Sequence, residues 1–306
     1  MEDDGFQLVS RVRRRKSLQR PTPTQPKNPP QPATPGFAYR RNPHGNVAAG
    51  KEKSVASVVG DVERCMTALR PTPFVQDLLR DLREVIAGIR TDMGTMDCVS
   101  YGLGSFGSSR ASVWQFALLL CVWEGMEDVF TPPELFDPVF TDLDKAVAGH
   151  YKCLIIPTNE RGARPTTRPT LFYMPHCGHT LYDAVLRSNW STLPGVVIIG
   201  NSFATYSTLL SSTASGGGGG HSTKRSSRTS VKDGEVKTGK KGTRYLLAAV
   251  EDANVVERAV GRWKLHPEVF NNTSLHSFRG VGRVVGWDDA DADDDPADRE
   301  VDAEVV

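Results

Sequence analysis

No stretch of this chain is long and apolar enough to cross a bilayer. The longest apolar run, Val113 to Trp123, is interrupted by Gln115 and falls well short of the roughly 20 residues a spanning helix needs. There is no CxxC pair either. The five cysteines, Cys65, Cys98, Cys121, Cys153 and Cys177, are odd in number and widely spaced. That pattern argues against a disulfide framework and a cysteine-based zinc site, and it fits a reducing compartment. The opening MEDDGFQ is acidic and lacks an apolar core, so neither a secretory signal nor an organelle transit peptide is expected. No internal repeat is evident. The expectation is a soluble protein of the cytoplasm and nucleus with no membrane association.

The formal net charge of +1 hides a strong asymmetry. Residues 1–54 carry eleven Lys and Arg against four Asp and Glu, then turn proline-rich (PTPTQPKNPPQPATP). Such a segment buries too little apolar surface to offset chain entropy, and it reads as a disordered tail. Its RVRRRK at 11–16 suits nuclear import or an anionic partner, or simply a solvated tail. Residues 211–244, with five consecutive glycines and eight Lys and Arg against two acids, read as a disordered basic insertion in a surface loop. Non-specific charge alone does not make it a sequence-specific nucleic-acid site. Residues 284–306 read as an acidic tail.

Between these segments lies the pattern of a folded domain, residues 55–283. Val55, Val58, Val59, Val62, Met66 and Leu69 recur at helical spacing, as do Phe74, Leu78, Leu82, Val85, Ile86 and Ile89, so two amphipathic helices come first. Strands and helices then alternate. MDCVSYG, ELFDPVF, YKCLIIP, PTLFYMP and GVVIIGN read as strands. Ser109–Trp123, TDLDKAVAGH (N-capped by Thr141, with Asp144 near N3) and TLYDAVLRSNW read as helices. YLLAAVEDANVVERAVGRW reads as one further helix, and VFNNTSLHSF as a last short strand or turn. The class is α/β: a Rossmann-like three-layer fold with a mostly parallel sheet.

Four of these strands end in polar or glycine-rich turns, which a parallel sheet gathers along its carboxyl edge. GLGSFG places Gly102, Gly104 and Gly107 in the GxGxxG spacing between strand and helix. Backbone N–H groups of such a turn, with Ser105, can approach an anion; the same glycines also suit close helix–sheet packing. Asp137 ends the second strand but lies farther on than the acid that holds a ribose in dinucleotide sites. PHCGH puts His176, Cys177 and His179 together, imidazole and thiol donors of the kind that bind haem iron. His176 hydrogen-bonding in the crevice and Cys177 packing is the other reading. Asn201 and Ser202 end the fifth strand, either on a ligand or as a helix cap.

The blocks YGLGSFGSSRASVWQFALLL, LFDPVFTDLD, PTLFYMPHCGHTLYDAVLRSNW, VVIIGNSF and FNNTSLHSF together resemble the sensitivity-to-red-light-reduced (SRR-like) domain family. The resemblance covers roughly residues 55–280 outside the insertion. It implies a regulatory protein of red-light (phytochrome) and circadian signalling, with relatives linked to haem biosynthesis and, in fungi, to microtubules. It also implies a cytoplasmic and nuclear location. It brings no catalytic residues. The chain departs from the pattern at Asn272, where an acid is expected, and in its basic insertion. Three functions are consistent with these residues. The first is a regulator whose crevice holds a small ligand, haem or another tetrapyrrole, and which acts through protein partners in signalling. The second is a Rossmann-type transferase using adenosyl-methionine or a nucleotide. The third is an interaction scaffold.

Overall fold

Val99, Ser100 and Tyr101 of β1 (Asp97–Tyr101) pair in parallel with Glu134, Leu135 and Phe136 of β2 (Glu134–Phe136), and β1 pairs on its other side with β4 (Thr170–Met174). These strands belong to a seven-stranded sheet in the order β3-β2-β1-β4-β5-β7-β6. β3 is Leu154–Ile155, β5 Val196–Asn201, β6 Val255–Ala259 and β7 Thr273–Phe278. β7 is antiparallel to both its neighbours, so it alone runs against the other six. The computed structural model describes residues 53–89, 94–215, 243–252, 254–261 and 263–279. The basic tail with its RVRRRK patch, most of the insertion and the acidic tail lie outside the described residues.

The alternation within each strand builds two cores. In β4, Leu171 and Tyr173 face one layer while Phe172 and Met174 face the other. The first layer holds α1 (Val55–Leu69), α2 (Pro73–Ile89), α3 (Arg110–Glu124) and α4 (Asp142–His150). The second holds α5 (His179–Ser188), the start of α6 (Phe203–Ser215), and α7 (Arg244–Glu251). α3 is apolar all round because it is covered twice. Ser112 through Val122 are all buried, between the sheet and α1, as a helix without a polar face requires. Thr141 and Asp144 form a capping box at the start of α4.

Three expectations shift. Residues 245–263 are not one helix: α7 stops at Glu251, and Val255–Ala259 form β6 against β7. The β-branched pair Val255-Val256 and the Asp252 to Asn254 break favour the strand. α6 runs to Ser215, so it takes up the first residues assigned to the insertion, and Thr243 at the insertion's other end is buried. The second strand ends at Phe136, leaving Asp137 to start the turn.

The crossover from β3 to β4, residues 156–169, contains no helix. It is held over the sheet by side chains instead. Glu160 accepts from the Tyr101 hydroxyl (2.5 Å) and from Arg164 Nε, and Arg164 also reaches Glu134 at 3.0 Å. Buried Asn189 accepts from Thr166 N–H (2.7 Å) and donates to the Arg164 carbonyl (2.9 Å).

Candidate functional site

The glycine turn after β1 is occupied by the chain's own carboxylates. Gly104 N–H donates to Asp137 Oδ2 at 2.6 Å, and Asp137 Oδ1 accepts from Val139 N–H at 2.9 Å. Phe106 and Gly107 N–H groups donate to Asp144 Oδ1 at 2.7 and 3.1 Å, and the Ser105 hydroxyl lies 3.3 Å from the same oxygen. Asp144 Oδ2 takes the backbone N–H and hydroxyl of Thr141, both at 2.8 Å. A fully buried carboxylate therefore sits where a phosphate would sit in a dinucleotide turn. The glycines serve packing. Gly104 has φ +73°, and a Cβ there would lie 2.6 Å from Ser112 Oγ of α3.

The turn after β4 closes in the same way. His176 has φ +58°, its N–H donates to Asn201 Oδ1 at 3.0 Å, and its ring Nε2 lies 2.5 Å from the Val269 carbonyl. Cys177 is buried. Its thiol donates to the Tyr101 carbonyl at 3.3 Å, and a Cβ on Gly102 would come within 2.5 Å of the sulfur. Burial pushes that thiol far above its usual pKa, which disfavours the thiolate a metal needs. His179 starts α5 with its Nδ1 buried and unpartnered. Its ring stands edge-on to Tyr206, 6.0 Å between centroids. Asn201 Nδ2 donates to the Cys177 carbonyl (3.3 Å) and to the Tyr206 hydroxyl (2.8 Å), which itself donates to the Cys177 carbonyl (2.7 Å). His176, Cys177 and His179 do not converge on one point, and no cluster of three metal-ligating side chains occurs among the described residues. The Cys177 thiol and the His176 ring are each already engaged by a backbone carbonyl.

Ser202 is a cap. Its hydroxyl accepts from Thr205 N–H at 3.1 Å, and its own N–H donates to the Asn272 carbonyl at 2.9 Å. Asn272, the departure from the SRR-like pattern, accepts from the Thr205 hydroxyl at 3.2 Å. Behind this cap a half-buried carboxylate faces a buried imidazole. Glu257 accepts from Ala204 N–H (3.0 Å) and the Ser274 hydroxyl (2.8 Å), and lies 3.7 Å from His276 Nε2. His276 is fully buried against Phe203, its Nδ1 3.2 Å from the Ile198 carbonyl. Burial lowers its pKa to about 4, only partly offset by Glu257.

Open space lies beside these turns rather than among them. A cleft of about 370 Å³ is lined by Tyr101, Gly102, Phe136 and Pro138 from the strand ends, Asn159, Arg161 and Gly162 from the crossover, and Thr180 and Leu181 from α5. Of the expected site residues only Gly102 lines it. The crossover and α5 residues were missed because no motif marks them; the one hint was the polar run PTNERG ending in a glycine. Gly162 (φ +76°) lets the crossover approach Leu181, whose carbonyl a Cβ would meet at 3.0 Å. Neither a histidine, a cysteine nor a carboxylate is among the lining residues.

The profile of the SRR1 domain matches residues 78–277. The chain belongs to the SRR1 domain family. A mouse SRR1-like protein is 40% identical over 109 residues, covering 35% of this chain and 44% of that protein. Protein SENSITIVITY TO RED LIGHT REDUCED 1 of Arabidopsis thaliana is 30% identical over 152 residues, covering 47% and 55%. A Drosophila melanogaster SRR1-like protein is 30% identical over 144 residues, covering 46% and 51%. The matches span about half the length of these SRR1 relatives. Among solved structures, the 23S rRNA methyltransferase ErmE aligns at 10% identity and a TM-score of 0.31, over 65% of this chain and 67% of that one. That is too loose to carry a functional argument.

Proposed function

We propose that this SRR1-family chain is a regulatory, non-catalytic protein of light and circadian signalling, acting in the cytoplasm and nucleus through protein partners and a small molecule held at its carboxyl edge. Membership of the family that includes the Arabidopsis red-light protein carries the regulatory part. The cleft over β1 and β2 supports the ligand part, because open α/β sheets bind ligands outside the carboxyl ends of their strands. Fold alone does not assign function, so the residues matter. The N–H groups of the glycine turn are taken by Asp137 and Asp144, which weighs against a transferase that cradles a cofactor phosphate there. The test is expression of the full chain in an Arabidopsis line lacking its relative. Restored red-light response supports the role; expressed, folded protein without any restoration refutes it.

A further inference from the structure

β6 (Val255–Ala259) ends the sheet, and among the described residues it pairs with β7 alone. Arg279 N–H donates to the Asn254 carbonyl at 2.8 Å, and Val260 N–H to the Thr273 carbonyl at 3.0 Å. Residues 254 and 260 thus face β7, and 256 and 258 do the same, because an antiparallel ladder alternates. The N–H and C=O groups of Val255, Glu257 and Ala259 point the other way, along the free edge. Such an edge is a template for another strand, and the usual guards against pairing are missing here. β6 contains neither proline nor lysine, and its ladder to β7 runs one to one without a bulge. Its two charges are tied elsewhere, Glu257 to Ala204 and Ser274, and Arg258 to Glu84 of α2. β3, at the other end of the sheet, is guarded by its length of two residues.

The residues that follow β7 fit that edge. Arg279 leaves β7 beside Asn254, at the start of β6. The sequence then continues GVGRVVGW, from Gly280 to Trp287, before the acidic run begins at Asp288. Its three valines and a tryptophan suit a pleated, half-buried position. Gly280 and Gly282 give the corner freedom to turn. The span is short enough. The outer position lies two strand spacings from β7, about 9.6 Å, and the four steps from Arg279 to Arg283 reach up to about 14 Å. α7 packs in the second core, so the chain enters β6 from that side and leaves the first-core side of the corner for the crossing. At the same corner the side-chain nitrogen of Asn254 is buried without an acceptor, a costly state that a carbonyl of the crossing segment relieves. A second copy fits less well. Two β6 edges joined across a two-fold axis contribute five residues each, against roughly 20–30 residues a side in a stable interface.

We infer that residues 283–287 of this chain dock as an eighth strand on the free edge of β6, parallel to it, with 280–282 as the crossing. The new strand reverses the direction of β7 with one strand between them, so no connection over a face of the sheet is needed. A tether of three residues holds the segment at an effective concentration that no separate partner reaches. The edge is therefore a protein-docking surface that the chain keeps filled itself. β6 runs parallel to β5, so the acidic run from Asp288 onward starts at the carboxyl edge of the sheet, the edge that carries the cleft, rather than hanging from the end of β7 on the opposite side.

Residue-resolved amide hydrogen exchange on the full chain tests this. Val256, Arg258 and Val260 are the internal control, because their N–H groups face β7 with or without an eighth strand. The comparison is with the full chain carrying Val284→Pro and Val285→Pro together, which removes backbone donors from the added strand. Val255, Glu257 and Ala259 should exchange at least about tenfold more slowly in the parent than in that variant, with the control amides unchanged. Nuclear Overhauser contacts between residues 255–259 and 283–287 should appear in the parent, which decides the matter even where the variant fails to fold. Absence of those contacts overturns the inference. So does fast exchange of the three outward amides in the parent, or protection that the prolines leave intact. Protection that grows with protein concentration, alongside a dimeric mass, gives the edge to a second copy and overturns it equally.

Discussion

Acidification below neutral pH should weaken this fold, and His276 is the reason. In the unfolded chain its imidazole titrates near 6.5; in the fold, burial lowers that to about 4. Between those values the unfolded state binds a proton that the native state refuses. Stability is therefore full above pH 6.5 and is lost as pH falls toward 4. At ~1.4 kcal/mol per pKa unit, the shift corresponds to about 3 kcal/mol, a large part of the roughly 5–15 kcal/mol typical of a domain. Glu257, held below its usual carboxylate range despite burial by bonds from Ser202, Ala204 and Ser274 and by His276, acts in the same direction but only below about 4.5. Asp183, raised by burial, acts in the opposite sense around its own range. Comparison of the parent with a His276 variant isolates His276, because Asp183 is common to both. His276→Phe keeps a ring against Phe203 and removes the titration. Urea unfolding from pH 7 to 5 should show a falling stability in the parent chain and a nearly flat one in the variant. Parallel slopes in the two proteins would refute the argument, whatever the absolute stability of the variant.

Other expectations follow from the closed turns. Gly104→Ala combines a positive φ with a Cβ 2.6 Å from Ser112 Oγ and should cost about 3 kcal/mol in denaturant unfolding; a change under about 0.5 kcal/mol would mean the turn is open. Asp144→Ala strands the Phe106 and Gly107 N–H groups and the Thr141 cap, and should cost about 4 kcal/mol, read as a lowered melting temperature. Tyr206→Phe removes the hydroxyl that joins α6 to the Cys177 carbonyl and should cost about 1 kcal/mol, with faster hydrogen exchange at the 175–178 turn. The thiols of Cys65, pushed up to about 11, and Cys121 and Cys153, up to about 12, are all buried; they should resist alkylation at pH 8 until denaturant is added.

Much of this architecture is legible in the residues, and the exceptions are instructive. The five parallel strands of the first half were visible because GVVIIGN and PTLFYMP are continuously apolar, as central strands must be. Thr141 with Asp144 announced the start of α4. Of the last two strands, VFNNTSLHSF announced β7, whereas β6 was hidden, because Leu246–Glu251 and Val255–Ala259 are joined by only a few residues and both are mixed apolar and charged. At the site, the carboxyl edge and its four turns were foreseen, and Gly104, Asp137, His176, Cys177 and Asn201 do gather there. Their partners were not. A periodic reading shows that Asp144 caps a helix, but not that its second oxygen reaches the turn some 38 residues earlier. The cleft was missed because its outer wall is an irregular crossover with no periodicity to read.

Asp144 inside the glycine turn has a further consequence. A turn that waits for a metabolite reports that metabolite's abundance, filling and emptying as the cell's supply changes. Here the anion is encoded in the polypeptide, at an effective concentration no diffusing phosphate can match. This part of the edge is therefore insensitive to supply: it is complete as soon as the chain folds, and starvation cannot empty it. Replacing Asp144 by glycine would turn the occupied turn back into a vacancy, and added formate or phosphate would then stabilise the chain in proportion to its concentration.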